Sequence, residues 1–245
     1  MKRLFSLFLM FAVLFGAVSA VLTSCGAKIP QQVLITQESA VRAAGDVRIA
    51  AAIYDTLVLS EDDKKHFPEL DKAFEAYNLD LEAYVEKVLD AMEPAAQTLP
   101  AEQLPLSAAI YSDALRLNGE LLSLLETREF YLGNGGYEKQ ISTVNFSVKT
   151  GALLSLDDVL VTPTALADLV IVALAEKETM PNFYETWRES AKRCLSERGT
   201  VLWTLNGRAL TVYFPAGCLA PEDEGIVEVD LFYLDHPNMV KGEYQ

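Results

Sequence analysis

The stretch VNFSVKTGALLSLDDVL, Val144–Leu160, carries three local signals in succession. Val144 to Val148 alternates in side-chain character, as a half-buried strand does. Lys149-Thr150-Gly151 has turn chemistry. Ser155 then stands ahead of Leu156, Asp157 and Asp158 in the order of a helix start. A serine N-cap is followed three residues on by a carboxylate, with aspartate where glutamate or glutamine is usual. Two adjacent aspartates invite a reading as a calcium site or an acid–base pair. Neighbouring helical residues do not share a face, however, so the pair cannot easily grip one ion. The positive end of a helix explains both carboxylates, at about 0.3–1 kcal/mol each. Strand, turn and capped helix is therefore the reading, and Asp157 and Asp158 hold the fold.

Upstream, Leu106–Leu117, Asn118-Gly119 and Glu120–Tyr131 read as a hairpin, because Asn-Gly between strand-like runs is the strongest short hairpin signal. Gly133-Asn134-Gly135-Gly136 is a loop, and Gln140–Lys149 is the next strand. Further upstream, Leu70, Ala73, Phe74, Tyr77, Leu81, Tyr84, Val85, Val88 and Leu89 recur at helical spacing. They predict an amphipathic helix over Glu69–Met92, entered at Pro68, bent near Asn78 and ended by Pro94. Ser60-Glu61-Asp62-Asp63 is a second capped start. Residues 31–52 hold one or two strands. Downstream, Thr164–Lys177 and Phe183–Leu195 are helical by period, and Thr200–Leu205 with Arg208–Phe214 form a second Asn-Gly hairpin. Ile226–Tyr233 is a last strand. Clustered strands and clustered helices predict an α+β domain with a mostly antiparallel sheet and helices packed on one face.

The N-terminus reads as an export signal. Lys2 and Arg3 precede an apolar run from Leu4 to about Val21, and Leu22-Thr23-Ser24-Cys25 follows. That tetrapeptide resembles the lipobox of bacterial lipoproteins, in which the cysteine carries lipid. Residues 1–24 are then a signal peptide, 25–32 a lipidated tether and 33–245 one domain. Cys25 becomes the membrane anchor, on the outer face of the cytoplasmic membrane.

Removing residues 1–24 from a chain of 245 leaves 221, enough for one sizeable core. The signal holds two of the 20 basic residues and none of the 35 acidic ones, so the net charge moves from −15 to −17. Such a surface repels nucleic acid and suits solubility or a basic partner. Cys194 and Cys218 remain; export permits a disulfide between them, and spacing leaves that pairing open.

Candidates for catalysis are sparse. The two histidines, His66 and His236, lie in different segments, and no HExxH, CxxC or Gly-x-Ser-x-Gly pattern occurs. The Gly133–Gly136 loop lacks the Lys-Ser/Thr ending of a phosphate loop. The expectation is no metal, no cofactor and no catalysis.

The order of features from Ser107 to Leu231 resembles the extracellular C-terminal domain of RsiV-type anti-sigma factors, also found in Gram-positive surface lipoproteins. That pattern is a hairpin, a Gly-Gly loop, a strand ending in Lys-Thr-Gly, and Leu-x-Leu-x-Asp before helices. Here these are Ser107–Tyr131, Gly135-Gly136, Asn145–Gly151 and Leu154–Leu160. A closing hairpin, Pro215, Ala220-Pro221, Gly225 and a final strand complete it. Tyr137-Glu138 stands where the family often has Ala-His, so no role of that histidine carries over. A lipobox replaces the membrane span and cytoplasmic segment, so anti-sigma activity does not carry over either.

The resemblance implies a binding role, since the RsiV ectodomain binds lysozyme, a basic protein. The expected function is a lipid-anchored binding or sensing module for a basic protein or a cell-wall ligand. The alternative is a peptidoglycan-associated enzyme or accessory subunit. Loops on the sheet scaffold are the expected contact surfaces: Tyr131, Asn134 and Tyr137 around the Gly-rich loop, and Pro221 and Glu222 in the last loop.

Overall fold

The computed structural model describes residues 28–133, 135–176, 182–197 and 200–245. Cys25 and Asn134 lie outside these described residues.

The first elements among the described residues are two long antiparallel strands, β1 (Val33–Ala44) and β2 (Val47–Leu59), more strand than the sequence suggested. A short helix α1 (Glu61–His66) follows, with Ser60 capping it as expected. The Asp63 backbone N–H donates to the Ser60 hydroxyl at 3.1 Å, and the Asp63 carboxylate accepts from the backbone of Gln31 at 3.1 Å. The start of the described chain is thereby tied to the helix.

Helix α2 (Pro68–Ala96) has Pro68 in its first turn, where a missing N–H costs nothing. Leu70, Phe74, Leu81, Val85, Leu89 and Met92 form its buried stripe. It runs past Pro94 to Ala96, beyond the expected end. So near the C-terminus a proline forfeits a single backbone bond, and the carbonyl it leaves, on exposed Asp90, is open to water. The helix also runs unbroken through Asn78. That side chain instead pairs with a strand: its amide donates to the Leu57 carbonyl and accepts from the Leu57 N–H, both at 2.9 Å.

Because α2 crosses over between them, β2 and β3 (Leu106–Leu117) pair in parallel. The β3–β4 (Leu121–Tyr131) and β4–β5 (Tyr137–Ser147) hairpins complete a sheet ordered β1-β2-β3-β4-β5. Leu106, Ala108, Ile110, Leu122, Leu124 and Phe130 face α2 and bury with it.

The Lys-Thr-Gly turn packs against the start of α2. A Cβ on Gly151, whose φ is +69°, would lie 2.2 Å from the Glu69 carbonyl oxygen. Only glycine fits this turn. Helix α3 (Leu156–Val159) then begins at Ser155 with the expected capping box. Asp158 accepts from the Ser155 N–H at 2.8 Å and from its hydroxyl at 2.7 Å.

Helices α4 (Leu166–Glu176) and α5 (Trp187–Ser196) cover a second sheet, ordered β6 (Leu202–Leu205), β7 (Ala209–Phe214) and β8 (Val227–Phe232). Val170, Leu174, Trp187, Leu195, Val212 and Val229 share its core. The fold class is α+β and mostly antiparallel as expected, with two refinements. The strands divide into two sheets, and one pairing is parallel.

The two sheets join through side chains. The outward N–H groups of edge strand β6 donate to hydroxyls of the large sheet: Trp203 to Thr143 at 3.1 Å, and Leu205 to Ser123 at 2.9 Å. The Asn145 amide donates to the Trp203 carbonyl at 3.0 Å and accepts from Ser123 at 2.6 Å. Ser123 and Asn145 are buried. They satisfy backbone groups that would otherwise be buried without partners.

Candidate functional site

The seam sets the small sheet against one end of β5, and a groove opens beyond it. One wall is the run Tyr137–Ile141 at the start of β5. The other is formed by Pro215, Ala216, Glu222 and Ile226, in the connection between β7 and β8. The groove volume is about 560 Å³. It is lined by consecutive residues of a strand end and by a loop.

Three of the residues expected from sequence meet here. Tyr137 is 77 % exposed and lines the groove. Tyr131, directly opposite across β4–β5, stacks on it with ring centroids 5.1 Å apart and planes tilted by 37°. Such a pair presents a rigid aromatic surface with few rotamers to freeze. Glu222 reaches the groove from the far wall. Pro221 does not line it; it precedes Glu222 and starts the short 3-10 turn Glu222–Glu224. Asn134 lies in the Gly-rich loop outside the described residues, as Cys25 does at the N-terminus.

The groove is acidic on balance. Glu138 and Glu222 line it, Asp223 and Glu224 follow in the same turn, and Lys139 is the one basic lining residue. Lys139 sits directly opposite Glu129 in the strand register, which offsets its charge.

Cys194 on α5 and Cys218 in the β7–β8 connection bring their sulfurs to 3.1 Å. Burial, with Cys194 alongside, pushes the Cys218 thiol up to about 12. The loop that carries Cys218 is the one that supplies Pro215, Ala216 and Glu222 to the groove.

A second polar cluster lies under α2. Glu126, 1 % exposed, accepts from the Tyr77 hydroxyl and from Arg128 at 2.7 Å, and Arg128 lies over the Tyr84 ring at 4.5 Å. Burial raises the Tyr77 hydroxyl pKa, and the Glu126 carboxylate raises it further. The carboxylate is enclosed by its partners, which suits it to holding α2 on the sheet. Among the described residues, no group of three or more His, Cys, Asp or Glu side chains is placed to hold a metal.

Sequence reasoning did not find Lys139, Ile141, Pro215, Ala216 or Ile226 as groove residues. The signal available was the free end of a strand facing a Pro-Ala turn, visible only once the β7–β8 connection lies opposite the start of β5. The seam residues Ser123, Thr143 and Asn145 were also missed. Their signal was polar residues at alternate, otherwise buried strand positions.

This α+β arrangement is found in solved proteins of the DUF3298 family, a family of unknown function. A member from Bacteroides fragilis NCTC 9343 superposes with a TM-score of 0.58 at 16 % identity, covering 86 % of this chain and 93 % of its own. A family protein from Pseudomonas aeruginosa PAO1 superposes with a TM-score of 0.54 at 19 % identity, covering 89 % of this chain and 96 % of its own. At these identities the likeness is one of fold. No family profile and no curated protein matches the sequence.

Proposed function

We propose that this chain is a lipid-anchored extracytoplasmic binding or sensing module, non-catalytic, whose groove takes a basic protein partner. The observation that carries this reading is the juxtaposition of Tyr137 and Glu222, which come from distant segments to line one acidic groove. Tyr131 backs Tyr137 by stacking, so the aromatic anchor is pre-organised. The net charge of −17 left once residues 1–24 are removed favours encounter with a basic protein, chiefly through the association rate. The lipobox at Cys25 supports anchoring at the outer face of the membrane. Likeness to the RsiV-type ectodomain supports lysozyme as the first partner to try, and a cell-wall ligand as the next.

Cys194 and Cys218 are proposed to form a disulfide in that compartment, given their sulfur separation of 3.1 Å. The bond would staple the groove loop to α5.

The test is a calorimetric titration of the chain from Ala27 onward with lysozyme at low and at high salt. Binding that weakens with salt and with Glu222→Lys supports the reading. Absence of binding at low salt removes lysozyme as the partner.

A further inference from the structure

We infer that the groove takes its partner as an added β-strand: an extended basic segment pairs with the free edge of β5 at Tyr137, Lys139 and Ile141. This rests on the binding reading above and specifies how that site is used.

The backbone groups of β5 alternate in direction along the strand. The Gly136 carbonyl accepts from Leu132, so even-numbered positions bond toward β4. Further along, the Ser147 N–H donates outward to Ala152, and the Asn145 carbonyl accepts from Leu154, both at 2.8 Å. Odd-numbered positions therefore present N–H and C=O outward, because hydrogen-bonding direction alternates along an antiparallel strand. At Asn145 and Ser147 the chain itself supplies the next strand segment, Ala152–Leu154. At Tyr137, Lys139 and Ile141 no backbone partner is found among the described residues.

The contrast with β6 sharpens this. There the fold satisfies the outward backbone of an edge strand with Thr143, Ser123 and Asn145 side chains. The β5 edge receives no such cover and instead looks into the groove. An exposed row of unpaired N–H and C=O groups is a template for another chain. Backbone pairing of this kind supplies affinity, and alternate side-chain pockets supply selectivity. Strand β1 is the other edge of the large sheet, but β5 is the edge that faces a second wall. That wall sets the occupant. Side chains on one face of an added strand meet Pro215, Ala216 and Ile226, and Glu222 stands among them. With Glu138 also on the strand and Asp223 and Glu224 close by, the complementary segment is extended, alternating and basic.

The test uses the full-length chain in detergent micelles and an acetylated, amidated Lys-Val-Lys-Val-Lys-Val peptide. Its control is the same peptide N-methylated at every backbone amide, which keeps the charge and removes the N–H donors. Strand addition predicts that the parent peptide slows amide hydrogen exchange at Lys139 and Ile141 at least tenfold. It predicts at least tenfold weaker binding of the methylated peptide. Ile141→Pro removes one outward N–H at an edge position that tolerates proline, and binding should fall similarly with the circular dichroism spectrum unchanged. Lys139→Pro is the second variant should Ile141→Pro fail to fold. Equal affinity for the two peptides, or unchanged exchange at both amides, overturns the inference. Lysozyme titrated against wild type and the proline variant separates this inference from the binding reading. A complex formed equally by both overturns strand addition alone. A complex formed by neither, with the peptide still slowing exchange, upholds strand addition and removes lysozyme as the partner.

Discussion

The side-chain amide of Asn145 donates to the backbone carbonyl of Trp203 at 3.0 Å, replacing the strand that would otherwise pair with β6. This bond, buried and shared with Ser123, places the small sheet and hence the second wall of the groove. Asn145→Leu keeps the approximate volume and leaves the Trp203 carbonyl and the Ser123 hydroxyl short of partners. The expected cost is about 2 kcal/mol, read as a lower urea midpoint with an unchanged slope. Ser123→Ala should cost a similar amount, about 2 kcal/mol, because it leaves the buried Leu205 N–H and the Asn145 amide oxygen without partners.

Gly151 touches α2 so closely that even a methyl group cannot enter. Gly151→Ala adds both the left-handed backbone penalty and a clash with the Glu69 carbonyl. We expect a loss of roughly 2–3 kcal/mol, seen as a fall in the thermal midpoint. Gly135, also at positive φ but with open space around it, is the control. Gly135→Ala should cost only the backbone term, about 1 kcal/mol.

The capping box makes a pH-dependent contribution. Bonds from the Ser155 hydroxyl and N–H hold the Asp158 carboxyl below the ordinary aspartate range. A lowered folded pKa means stability that is complete above the unfolded value of about 3.9 and is lost as pH falls through the folded one. Asp158→Asn should therefore destabilise the chain at neutral pH and match wild type at strongly acid pH. The check is a set of urea melts across that range. A difference that persists undiminished in acid would assign the effect to shape instead of charge.

The sulfur pair gives a prediction independent of the groove. In protein isolated from an oxidising compartment, Cys194 and Cys218 should resist alkylation until a reductant is added. Reduction should cost about 3.5 kcal/mol by the loop-closure argument for a separation of 24 residues. The reduced Cys218 should alkylate slowly at neutral pH, because burial raises its pKa to about 12. Rapid labelling of both thiols before reduction contradicts the bond.

Local chemistry was the most legible part of the sequence. Ser60, Pro68, Asn118-Gly119, Asn206-Gly207 and Ser155 with Asp158 each placed an element boundary, because turns and caps depend on neighbouring residues alone. The stripe from Leu70 to Leu89 located α2 for the same reason. What escaped depends on partners distant in sequence. Asn78 read as a bend, since nothing local shows that Leu57 awaits its amide. Pro94 read as a stop, although a last-turn proline is tolerated. The division into two sheets was hidden because Thr143, Asn145 and Ser123 make sense only against the edge of β6. Tyr137 and Glu222 were named as separate loop residues; only packing shows that they line one groove.

The most direct test of the account is a salt-dependent calorimetric titration of lysozyme into the chain from Ala27 onward, run on wild type, Tyr137→Ala and Glu222→Lys. The account predicts binding that weakens steeply with salt. Tyr137→Ala should lower affinity at all salt concentrations, by about 2 kcal/mol for loss of an aromatic anchor. Glu222→Lys should lower it most at low salt, chiefly through slower association. Binding by wild type that both variants match at every salt concentration would contradict the claim that this groove is the site.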